Sequence, residues 1–189
     1  MLTLDIEAPL EVANWRPLVQ WLLAVPHYVV LYALSVVLSL FAFISWFAIL
    51  FTGAIPPTIH SFQVMVLRYQ WRVYSYAGFV REGYPPFDFT SADLDPRTDP
   101  ARLSLPRAER LSRGLIFVKW LLIIPHAVVL FFVGIGAFVA WLIAAFAVLF
   151  TGRWPQPLRD LVVGTIRWQL RVNAYVYLLT DQYPPFSLT

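Results

Sequence analysis

An all-α integral membrane fold made by tandem duplication is what this sequence predicts, on three observations. Of its 189 residues 59% are hydrophobic and 13% charged, against roughly 45 to 50% and about 25% in ordinary soluble domains. No Asp, Glu, Lys or Arg occurs between Arg16 and Arg68, nor between Lys119 and Arg153, and uncharged apolar runs of that length read as membrane-embedded. The chain also matches itself without gaps at an offset of 99 residues, pairing Pro26-His27 with Pro125-His126 and Tyr84-Pro85-Pro86-Phe87 with Tyr183-Pro184-Pro185-Phe186. Chance alignment of apolar runs would not also align this punctuation, so the repeat is a duplication.

Four segments follow from the repeat. Residues 1–14 form an N-terminal segment that carries Asp5, Glu7 and Glu11 and lacks the basic start of a secretory signal, so no processing is expected. Residues 15–90 are the first unit and 114–189 the second. Between them, 91–113 is polar, contains Pro96, Pro100 and Pro106, and reads as a solvated linker.

Within each unit the apolar run comes first. Leu18 to Phe51 is 34 residues, which as one straight helix would be about 50 Å long against a hydrocarbon core of about 30 Å. A transmembrane hairpin turning near Ser35 to Ser39, with Gly134 and Gly136 at the matching place in the second copy, is the expected solution. A single helix bent at Pro26 is the competing geometry. The cations Arg16, Arg113, Lys119, Arg153 and Arg159 flank the runs and none falls at the expected turns, which favours hairpins with both termini on the cytoplasmic side of an inner membrane.

After Leu-Phe-Thr-Gly, a helix stop, each unit continues with about 20 aromatic-rich residues holding two arginines four apart, Arg68 and Arg72 or Arg167 and Arg171. Four-residue spacing puts each pair on one helical face. The expectation is an amphipathic helix in the headgroup plane, its arginines toward anionic phosphate. Tyr-Pro-Pro-Phe cannot be helical and should anchor the chain in extended form at the interface.

Catalytic chemistry has little to work with. No acid lies in either apolar run, no glycine-rich phosphate loop is present, and cysteine is absent. His27 and His126 occupy matching positions and could in principle meet across a pseudo-twofold axis as haem or metal ligands. A neutral imidazole bonding beside its proline is the preferred reading, so no cofactor is expected. His60, matched by Arg159, reads as a surface residue. Glu82 and Asp181 are matched acids expected to pair with a cation or cap a helix end. A net charge of +3 suggests anionic lipid and not nucleic acid.

Trp-Leu-Leu, Pro-His-Val-Val-Leu, Leu-Phe-Thr-Gly and the stretch from Arg167 to Leu188 (Arg-Trp-Gln-Leu-Arg-Val-Asn-Ala-Tyr and onward) resemble the bacterial membrane family known as domain of unknown function 4389. The second copy matches throughout. The first departs at Tyr69 for Trp168, Tyr74-Ser75 for Asn173-Ala174, and Arg81-Glu82-Gly83 for Thr180-Asp181-Gln182. The resemblance implies a bacterial plasma membrane protein and carries no activity to transfer. The expected function is a non-catalytic accessory or scaffold subunit that meets anionic lipids and other membrane subunits. Bilayer shaping and lipid handling or transport are the alternatives.

Overall fold

A computed structural model describes residues 2–189. In chain order it comprises β1 (Thr3–Ile6), α1 (Arg16–Leu23), α2 (Val25–Thr52), α3 (Pro57–Ala77), β2 (Ala101–Ser104), α4 (Leu115–Leu122), α5 (Ile124–Thr151) and α6 (Gln156–Val176). The fold is helical apart from one antiparallel ribbon, in which Leu4 faces Leu103.

The expected hairpin turns are absent. Val25–Thr52 and Ile124–Thr151 are each one unbroken helix of 28 residues, and the bend falls at the proline instead. Pro26 and Pro125 lack the N–H that would continue the preceding turn, so α1 and α4 end one residue before α2 and α5. Ser35 and Ser39 are no obstacle, because their hydroxyls bond back to Tyr32 O and Ser35 O within the helix. Gly134 and Gly136 face open space and form neither a turn nor a close helix contact.

The long helices stop where left-handed glycines allow it. Gly53 (φ 77°) and Gly152 (φ 65°) cap α2 and α5, and such a φ costs a side chain-bearing residue strain. Each cap is closed by the segment that leads into the other unit. Leu111 N–H donates to Gly53 O at 2.8 Å, and its counterpart Val12 N–H donates to Gly152 O at 2.9 Å. Arg113 donates to Phe51 O and Asn14 to Leu149 O. The repeats are thus clasped reciprocally, each leading segment against the other's helix end.

Past the caps, α3 and α6 fold back along α2 and α5. Phe62 meets Phe41, Met65 and Val66 meet Leu38, Tyr69 meets Leu31, and Tyr76 and Ala77 meet Ala24. Leu130 packs on Trp168 and Val172 in the second unit. The central core gathers Ile49, Leu67, Trp71, Ala140, Ala144, Val148 and Trp154. α3 is not an exposed interfacial helix, since every residue from Gln63 to Val73 is buried.

The expected solvated linker is also folded. β2 lies on α3, and Asp99, Ala101, Leu103 and Leu105 are buried. Two of its acids are used internally, which is why polarity alone misread it: Asp95 accepts from Leu103 N–H and Asp99 from Ala101 N–H.

Candidate functional site

Each unit builds an aromatic box around its histidine. His27 and His126 sit on the first turn of α2 and α5 and are fully buried. From α3, Tyr69 Oη lies 2.6 Å from His27 Nδ1; from α6, Trp168 Nε1 donates to His126 Nδ1 at 3.1 Å. An indole N–H can only donate, so His126 is the neutral tautomer with its proton on Nε2.

The prolines of Tyr84-Pro85-Pro86 and Tyr183-Pro184-Pro185 hold the backbone extended, which sets the flanking aromatics on the imidazole. Phe87 stacks on His27 at 4.3 Å and 14°, Phe186 on His126 at 4.0 Å and 13°, with Tyr84 and Tyr183 tilted at 4.7 and 4.8 Å. Every ring around a histidine belongs to its own unit, so the two are not brought together. Among the described residues no group of acids and histidines is arranged to hold a metal.

The arginines divide the units. Arg68 and Arg72 were expected at phosphate, but they are buried against carboxylates. Arg68 Nε is 3.1 Å from Asp95 and donates to Leu103 O and Ala92 O, while Arg72 Nη1 is 2.9 Å from Asp88. Arg81 pairs with Asp99 at 2.5 Å. Burial draws Arg68 and Arg81 below the ordinary guanidinium range, and the adjoining carboxylates oppose it. The Thr90 hydroxyl, and then Arg72, hold the Asp88 carboxyl down at about 2 against the opposing effect of burial. Asp88, Asp95 and Asp99 were missed as partners. The available signal was a run of acids directly after the first Tyr-Pro-Pro-Phe, beginning with Asp88.

In the second unit Ser187 replaces Asp88, and Arg171 donates to its carbonyl at 3.3 Å. Arg167 and Arg171 are half-buried and have no carboxylate partner among the described residues. This pair retains the chemistry to accept an anion.

Matched positions elsewhere keep their task. Gln20 donates to Arg81 O and its counterpart Lys119 to Thr180 O. Glu82 pairs with Arg16 and accepts from Ala13 N–H; Asp181 pairs with Lys119 and accepts from Ser112 N–H. His60, expected at the surface, is buried with Nδ1 2.9 Å from Asp93, because the linker covers it.

The largest surface feature is apolar. α2 and α5 have mean hydropathies of 2.5 and 2.6 in their most apolar windows, of which only 17% and 22% is buried. Val29, Val36, Phe43 and Phe51 on α2, with Phe132, Val139, Phe146 and Phe150 on α5, are exposed, as are Trp21 and Trp120 on α1 and α4. α3 exposes no large apolar side chain and α6 only Val176.

Two stretches, residues 14–88 and 113–187, match the family profile Domain of unknown function (DUF4389). The chain belongs to this family. Its DUF4389 copies each contain a Pro-His turn, an arginine pair and a Tyr-Pro-Pro-Phe strap, so each holds one complete aromatic box. No curated protein and no solved structure matches the chain.

Proposed function

We propose that this DUF4389 protein is a non-catalytic membrane protein of a bacterial inner membrane, acting as an accessory or scaffold subunit of a larger complex. The exposure of α2 and α5 carries the reading. A core helix of a soluble protein is covered on most sides, whereas these two bury only 17% and 22% of their apolar windows. Contiguous apolar patches on soluble monomers rarely exceed a few hundred Å², and the exposed rows here run the full length of both helices.

The polar groups support a structural role. In the first unit buried cations and acids are matched to one another, and each boxed histidine is stacked by a phenylalanine of its own strap. Arg167 and Arg171, with no carboxylate partner among the described residues, are available to a partner's acid or an anionic headgroup. A bilayer-shaping role is the second reading, favoured by apolar exposure spread over four helices, which suits a wedge in lipid.

Affinity purification in mild detergent, with identification of co-purifying proteins and lipids, tests the proposal. A stoichiometric membrane protein partner is the expected result. Recovery of the chain alone from several mild detergents, with vesicles tubulated by the purified protein, would overturn the scaffold role in favour of bilayer shaping.

A further inference from the structure

We infer that α2 and α5 lie in the plane of the membrane, with the apolar face of α1, α2, α4 and α5 immersed in one leaflet, and do not cross the bilayer. The inference rests on the membrane reading and concerns which surface meets lipid.

The polar layer decides the geometry. α3 runs back along α2, from Phe62 beside Phe41 to Ala77 beside Ala24, a shared length of about 25 Å at about 1.5 Å per residue. α3 also carries the linker and the residues before it, with Asp93 at His60, Leu103 and Asp95 at Arg68 and Asp88 at Arg72, and just past its end Asp99 meets Arg81. That ribbon is wet. The side chains of Glu7, Asp93 and Arg102 are 68%, 36% and 29% exposed.

Were α2 to stand across a hydrocarbon core of about 30 Å, these charges would stand in it too, since the stretch of α2 beyond Phe41 is only about 16 Å long. Exposed charge and open ribbon edges are not tolerated in lipid. With the axis laid flat, the ribbon faces water and the opposite side of α2 faces acyl chains.

The second unit agrees. Asp160 and Gln169 are exposed on α6, which follows α5 with Trp168 against His126 and Leu130. The rim suits headgroups: Arg153 is 64% exposed just past α5, Arg113 is exposed and bonds the end of α2, Arg16 stacks on Trp15, and Trp21 and Trp120 are exposed.

The absence of native cysteine makes the test direct. Nitroxide labels at Val29→Cys, Val36→Cys and Phe43→Cys lie on one exposed face of α2 and span about 21 Å of its axis. Phe132→Cys, Val139→Cys and Phe146→Cys repeat the series on α5 as an independent check on any one variant. In vesicles of phosphatidylcholine and phosphatidylglycerol, the collision ratio of oxygen to a water-soluble nickel complex reports depth. The expected result is a high and nearly equal ratio at all three sites of each helix. A ratio peaking at one site and falling severalfold across the series would establish a crossing helix, overturning the in-plane geometry while leaving the membrane reading in place. No oxygen enhancement at any site would show that lipid does not touch this face, and both readings would fall.

Discussion

At the scale of single residues, the two copies act as controls for each other. Tyr69 and Trp168 occupy one position and present a hydroxyl or an indole N–H to the same histidine nitrogen. Trp168→Tyr should therefore cost little, whereas Trp168→Phe removes the donor and leaves buried His126 Nδ1 unsatisfied, a loss of about 1 to 3 kcal/mol. Thermal unfolding in detergent separates the two; equal melting temperatures would show that packing alone holds the box. Asp88 gives a pH signature. Its folded pKa of about 2 lies below the ordinary aspartate value of 3.8, so its contribution is present above about 4 and is lost as pH falls through about 2. Asp88→Asn should flatten the acid limb of the stability profile in that window. A limb of unchanged slope would place the acid sensitivity elsewhere. Breaking the buried cluster with Asp95→Asn should cost about 3 to 5 kcal/mol, against under about 1 kcal/mol for Arg171→Gln, whose guanidinium meets no carboxylate.

At the scale of elements, glycines that look alike in sequence have different tasks. A Cβ on Gly164 would come within 2.6 Å of Leu188 O, whereas Gly134 and Gly136 have nothing within 4 Å. Gly164→Ala should displace the C-terminal strap and expose residues 183–189 to protease. Gly134→Ala and Gly136→Ala should leave protection unchanged and stabilise α5 by up to about 1 kcal/mol each. Equal proteolysis of all three variants would refute the close approach. Gly134, Gly136, Ser35 and Ser39 look like turn formers in sequence, because small residues permit a turn. Permission is not compulsion: an uninterrupted apolar neighbourhood keeps backbone hydrogen bonds inside one helix, and only the missing N–H of Pro26 and Pro125 breaks them.

At the scale of the whole molecule, the reciprocal closure of Gly53 by Leu111 and of Gly152 by Val12 makes neither unit complete alone. A protease site inserted at the exposed pair Glu109-Arg110 should, after cleavage, leave two fragments that co-purify and melt together. Separation in the same detergent would show that the clasp contributes little. Much of this was legible in the sequence. The duplication, the family, the apolar character of two long segments and the punctuation at Pro-His, Thr-Gly and Tyr-Pro-Pro-Phe are local or periodic signals, and a linear string retains them. Only the tertiary structure decided which acids meet Arg68, Arg72 and Arg81, that the polar linker folds onto α3, and that polar and apolar helices run side by side. Those facts depend on pairings between residues far apart in the chain. A charge reads as solvated until its partner is known, and an apolar helix reads as a membrane span until its neighbours are placed.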